Sequence, residues 1–97
     1  MTPLTEMEIE RHLEEMAGWT YREGGLHREY RFKNFVEAFA FMTACALEAE
    51  KMNHHPDWSN AWAKVQVRLR THDAGAVTSL DMELAKRMEA QFRARGN

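Results

Sequence analysis

Apolar and polar residues alternate along one stretch of this chain and recur at helical spacing along three others. Between residues 63 and 71, Ala63, Val65, Val67, Leu69 and Thr71 alternate with Lys64, Gln66, Arg68 and Arg70. A period of two puts each set on its own face, so this segment predicts a half-buried strand. Its polar face carries Trp62, Lys64, Gln66, Arg68 and Arg70, and it is free for solvent, a ligand or a partner. Ile9, Leu13 and Met16 recur on one face of a first helix, which the capping box Thr5-x-x-Glu8 opens and Gly18 closes. Asn34 caps a second helix with Glu37 at its third position, and Phe35, Phe39, Met42, Ala46 and Ala49 form its stripe. The aromatic run Phe35, Phe39 and Phe41 reads as core. Residues 53–56 stop this helix, because a residue before proline avoids the helical region.

Thr78 caps a last helix whose buried face is Leu80, Leu84, Met88 and Phe92. Residues 19–23 and 26–32 flank Gly24-Gly25 and predict a hairpin. Residues 57–60 make a short candidate strand before the long one. The order is then α-β-β-α-β-β-α, which predicts one α+β domain over residues 1–97, with helices on one face of an antiparallel sheet.

Composition narrows the function classes. A chain of 97 residues builds one core with little to spare, so self-association is expected. A net charge of -2 does not suggest nucleic-acid binding, and the cations near the C-terminus interleave with Asp81, Glu83 and Glu89 as a solvated helix face. No apolar run approaches a membrane span, and residues 1–6 lack the features of a secretion signal. Cys45 is the only cysteine and sits among Ala44, Ala46 and Leu47, where a thiol is an inert core group. A reduced, cytoplasmic setting is expected.

The chemistry concentrates in residues 50–58, in Thr71-His72-Asp73 and in Thr78-Ser79-Leu80-Asp81. Three of the five histidines lie at these element ends. Imidazole gives and takes protons near neutral pH. His54 and His55 are adjacent, so one ring can face a cleft while the other is anchored, and Pro56 stiffens the turn. If the segment around Trp58 pairs near the long strand, these groups converge at one sheet edge. Asp81 stands at the third helical position after Thr78, where it complements the helix N-terminus and can also orient a histidine. Adjacent histidines diverge, which argues against a metal site; helical metal ligands are spaced at i and i+4. His12 and His27 have no polar cluster nearby and read as structural.

The runs Glu50-Lys51-x-Asn53-His54-His55-Pro56-x-Trp58, Val65-x-Val67-x-Leu69-x-Thr71-His72 and Gly75-x-x-Thr78-x-x-Asp81-x-x-Leu84-Ala85 resemble the pterin-4a-carbinolamine dehydratase family. The likeness runs from the Trp19 region to the last helix. It implies a four-stranded antiparallel sheet with three helices on one side, a homodimer or homotetramer, and no metal or organic cofactor. It also implies loss of water from a 4a-hydroxytetrahydropterin to give the quinonoid dihydropterin, which recycles the tetrahydropterin after an aromatic-ring hydroxylase turns over. By position, it makes His54, His55 and His72 catalytic, with His54 and His72 as proton carriers and His55 mainly positioning. It assigns Asn53, Pro56, Trp58, Arg70, Thr71 and Asp81 to substrate binding, Asp81 also holding an imidazole in its productive tautomer. Trp62, Arg70 and Ala76-Val77 depart from the family's more usual Tyr, Thr and Gly-Leu. Two other roles share the resemblance: a dimerisation module for transcription regulators, and an enzyme acting on another pterin.

Overall fold

The computed structural model describes residues 1–97. Helix α1 spans Glu6–Leu13, β1 Thr20–Arg22, β2 Gly25–Arg31, α2 Phe35–Met52, β3 Asp57–Ala61, β4 Lys64–Leu69 and α3 Ser79–Ala94, with a single 3-10 turn at His72–Ala74. The strands form one antiparallel sheet in the order β1-β2-β4-β3. This is the expected α+β architecture, with three helices and four strands.

The first hairpin closes at Glu23-Gly24 rather than Gly24-Gly25, because Arg22 pairs with Gly25. Both turn residues have positive φ, 50° and 74°, the primed geometry that matches strand twist. Gly25 instead lies inside β2, where an added Cβ would come within 3.0 Å of the Arg68 side chain. The second hairpin turns at Trp62-Ala63. Trp62 therefore leaves the strand face assigned to it from alternation and sits exposed at φ +50°, with the Asn60 amide donating to the carbonyls of Trp62 and Lys64.

Helix α1 stops at Leu13, and Met16 reaches the core from the turn that follows. On α2 the buried side is Ala38, Phe41, Cys45 and Ala49, while Phe35, Val36, Phe39 and Leu47 are exposed. The expected stripe is thus rotated toward solvent. Small residues let α2 lie close to the sheet, and the helix carries apolar residues on two sides, so spacing alone could not say which side packs inward. Burial, with Glu48 and Glu89 nearby, pushes the Cys45 thiol up to about 12, consistent with an inert core group. No helix is long and apolar enough to cross a membrane.

One buried polar cluster had no signature in the sequence pattern. Glu89 on α3 accepts, at one oxygen, hydrogen bonds from Trp19 Nε1 at 2.9 Å, Arg28 Nε at 2.8 Å and Tyr30 OH at 2.7 Å. The Arg28 guanidinium also lies over the Tyr30 ring, 4.1 Å from its centre. Gly18, at φ +92°, makes room for it; a Cβ there would meet Arg28 Nε at 2.7 Å. The cluster ties α3 to the first hairpin.

Candidate active site

The C-terminus of α2 sets the first histidine in place. Asn53 adopts a left-handed φ of 51°, a region that its short polar side chain tolerates. Its N–H donates to Glu50 O, and the His54 N–H reaches back to Ala49 O at 3.1 Å. This pair of bonds is a Schellman closure. It turns the chain sharply, and Pro56 then leads it in extended form into β3. Asn53 therefore has a capping task whatever else it touches.

His54 is buried, and its Nε2 lies 2.6 Å from Asp81 Oδ1. Asp81 is fully buried in the first turn of α3. Its second oxygen accepts the Thr78 N–H at 2.8 Å and the Thr71 hydroxyl at 2.8 Å. Thr71 and Thr78 hydroxyls are 2.7 Å apart, and Thr78 Oγ1 accepts the Leu80 N–H. Since the Thr71 proton goes to Asp81, the Thr78 hydroxyl must donate to Thr71. The directions of the whole chain are thereby fixed, from the Leu80 amide through both threonines to the carboxylate. Asp81 is an acceptor only, so His54 carries its proton on Nε2. The lone pair then belongs to Nδ1, which has no protein partner. The capping and histidine-orienting tasks foreseen for Asp81 are met by its two different oxygens.

The other two histidines reach the same place from different segments. His55 is exposed, with Nε2 2.8 Å from Glu50 Oε1. Thr71 bridges to Ala76 across a tight loop closed by Gly75, and His72 leads that loop. His72 Nε2 stands 3.6 Å from Asp57 Oδ2, and both side chains are largely exposed. One open cleft of about 280 Å³ is lined by residues 53–57, residues 71–73 and Leu80, so all three imidazoles border it. The cleft lies where α2, the start of β3, the end of β4 and the start of α3 meet.

Asn53, Pro56 and Thr71 line this cleft; Trp58 and Arg70 do not. Trp58 is half-buried and packs against the core. Arg70 donates from Nη2 to Gly75 O at 2.8 Å, which braces the loop, while its Nε is buried without a partner. Asp57, Asp73 and Leu80 also line the cleft and Glu50 holds His55; all four fall within the runs picked out in the sequence, but none had been given a role at the site. Asp57 read only as the start of a strand; its place after His54-His55-Pro56 was the available signal. No three His, Cys, Asp or Glu side chains converge in metal-binding geometry. His27 does not line the cleft; it lies beside the Arg22 carbonyl, and burial together with the Arg22 and Arg68 charges holds its pKa below the usual value.

The sequence model of the family described as pterin 4 alpha carbinolamine dehydratase matches residues 2–91. The chain belongs to that family. A relative from Solibacter usitatus that carries the pterin-4-alpha-carbinolamine dehydratase name is 49% identical over 89 residues, covering 92% of this chain and 94% of the relative. One from Rhizobium johnstonii with the same name is 50% identical over 91 residues, 92% of this chain and 90% of the relative. Among solved structures, a transcriptional coactivator/pterin dehydratase from Brucella melitensis superposes with a TM-score of 0.90 at 41% identity, over 93% of this chain and 98% of the other.

Proposed function

We propose that this family member is a dehydratase that removes water from a 4a-hydroxytetrahydropterin by histidine acid–base catalysis, giving the quinonoid dihydropterin from which a separate two-electron reduction regenerates the tetrahydropterin. The observation that carries this reading is His54, a nearly buried residue of the cleft lining, held by Asp81 at Nε2 and with no protein partner at Nδ1. In the reaction the N5 lone pair of the pterin forms a double bond to C4a as the C4a–O bond breaks. The N5 proton must leave, and the departing hydroxyl must gain a proton to go as water. His54 Nδ1 accepts the N5 proton. His72, exposed at the mouth, donates to the leaving oxygen, and solvent restores both rings. Asp57 lies 3.6 Å from the His72 ring, and Glu50 holds His55 at the rim for substrate positioning. Asn53, Pro56 and Thr71 shape the wall, and Asp81 acts through His54 rather than on substrate.

Family names and overall likeness supply the substrate class, and general acid–base assistance of this kind contributes about 10²–10⁴-fold. The expected outcome of changing His54 to Ala is a loss of about tenfold or more in dehydration rate, with the fold retained by circular dichroism. An unchanged rate contradicts the assignment.

The reading includes self-association. Phe35, Val36, Phe39 and Leu47 share one outward side of α2, with Val36 72% and Phe39 53% exposed. Such a stripe on a small domain fits pairing of helices between copies. Light scattering is expected to show an oligomer that Val36→Lys with Phe39→Glu converts to monomer. An oligomer unaffected by the double change would place the interface elsewhere. The Brucella protein is also called a transcriptional coactivator. The polar constellation around His54 favours the catalytic reading here, since a scaffold has no need to fix a tautomer.

A further inference from the structure

We infer that Arg70 is a positioning residue for the reaction: it fastens the backbone of the turn that carries His72, and so fixes where that imidazole stands. This inference rests on the dehydratase reading of the cleft. Two of the three rings are held by carboxylates, His54 Nε2 by Asp81 at 2.6 Å and His55 Nε2 by Glu50 at 2.8 Å. His72 has no such bond. Its ring is largely exposed, and the carboxylate beside it, Asp57, stands 3.6 Å away, beyond hydrogen-bond reach. The place of the His72 ring is therefore set through its backbone.

That backbone is a single 3-10 turn, His72–Ala74, closed by Gly75 at φ +63°. The base of the loop is pinned. The Thr71 N–H donates to Ala76 O at 3.0 Å, and the Thr71 hydroxyl donates to Asp81. The turn itself has only local backbone bonds, from the Ala74 N–H to Thr71 O and from the Gly75 N–H to His72 O. Turns so short and exposed open readily unless something holds them. Arg70 does so. Its bond from Nη2 to Gly75 O, at 2.8 Å, is the one side-chain hydrogen bond to the backbone of residues 72–75. Arg70 does not line the cleft, so its effect on the reaction runs through Gly75 and His72 rather than through substrate. Its Nε is buried without an acceptor. Such orphaned donors are rare in folded proteins, and this one belongs to a side chain whose position matters more than its own bonding. Displacing a catalytic group by about 1 Å costs up to about a hundredfold, and a loosened turn is expected to cost about five- to tenfold.

The test follows decay of a 4a-hydroxytetrahydropterin generated in situ with the wild type, Arg70→Met, His72→Ala and the double variant, each shown to be folded. Arg70→Met keeps the apolar stem and removes the donor. The expected result is a kcat about five- to tenfold lower, with KM within about twofold. In the His72→Ala background the same change should cost almost nothing, because no ring is left to place. Nitrogen NMR relaxation should show the amides of residues 72–75 gaining motion in Arg70→Met, with those of His54 and Asp81 unchanged. Arg70→Gln, too short to reach Gly75 O, gives the same comparison in a second variant. An unchanged kcat, a turn that keeps its order, or an equal loss with and without the His72 ring overturns the inference while the dehydratase reading stands. A raised KM at unchanged kcat also overturns it, and returns Arg70 to substrate binding. No acceleration by the wild type overturns both.

Discussion

Replacing Asp81 with asparagine is expected to slow dehydration about a hundredfold, with a much smaller change in KM. Asparagine fits the space but not the bonding. One side of Asp81 receives the His54 Nε2–H, and the other receives the Thr78 amide and the Thr71 hydroxyl. An amide group has one accepting and one donating end. The Thr78 N–H is a backbone donor that cannot rotate or reverse, so the Asn oxygen settles there. Its NH₂ then faces His54 Nε2, which must become the acceptor. The ring proton moves to Nδ1, and that nitrogen can no longer accept a proton. The variant should fold, losing about 1–3 kcal/mol through the altered network. Nitrogen NMR of the His54 ring reports the tautomer directly. Full activity with the proton moved to Nδ1 would show that the tautomer is irrelevant to catalysis. Asp81→Ala serves less well, because it leaves a buried threonine pair and a helix terminus without an acceptor, so loss of fold would mask loss of chemistry.

The largest effect on stability is expected at Glu89. Its carboxylate gathers three donors at one oxygen, 15% and 11% of the Arg28 and Glu89 side chains remaining exposed. Glu89→Ala leaves the Arg28 guanidinium, the Tyr30 hydroxyl and the Trp19 N–H short of an acceptor. Truncating one partner of such a buried charge pair costs about 3–5 kcal/mol. For a domain of this size that is a fall in Tm of about 15–30 °C. Burial by itself would raise the Glu89 pKa, but the bonds from Arg28, Tyr30 and Trp19, with the Arg28 charge, outweigh it and hold the group below its ordinary value of 4.5. The sign follows. A carboxyl with a depressed folded pKa contributes stability above its unfolded pKa and loses it as pH falls through the folded one. The Tm of the native protein should therefore drop steeply below about pH 4.5, and Glu89→Gln should flatten that decline while lowering Tm at neutral pH. Parallel curves for the two proteins would place the acid sensitivity in other groups. Activity measured well below the lowered Tm should persist, because the cluster lies at the first hairpin and not at the cleft.

The contrast between Asp81 and Glu89 shows what the linear chain reveals. Thr78 and Asp81 form a local pattern, so capping was legible; the second bond, to His54, spans 27 positions and needed the fold. Glu89 reads as one of several surface carboxylates on a charged helix, since its three donors lie 59 to 70 positions away. Strand alternation located β4 and the caps located α2 and α3, because period and cap chemistry are short-range signals. The orientation of α2 was not legible, as apolar residues on both sides satisfy the same spacing. The turn at Trp62-Ala63 was hidden for a similar reason. An aromatic residue carries no turn signature, and only strand pairing and the Asn60 clamp reveal it. Among the candidate site residues, those next to helix ends and loop closures came together at the cleft, whereas Trp58 and Arg70 followed the strand pleat away from it.

The central claim is that His54, held by Asp81, moves the N5 proton of a 4a-hydroxytetrahydropterin. It is tested most directly by stopped-flow decay of that compound with wild-type protein and with His54→Ala, both shown to be folded, near neutral pH. The account predicts acceleration by the wild type and loss of about tenfold or more of it in the variant. No acceleration by the wild type, or equal acceleration by both, would contradict it.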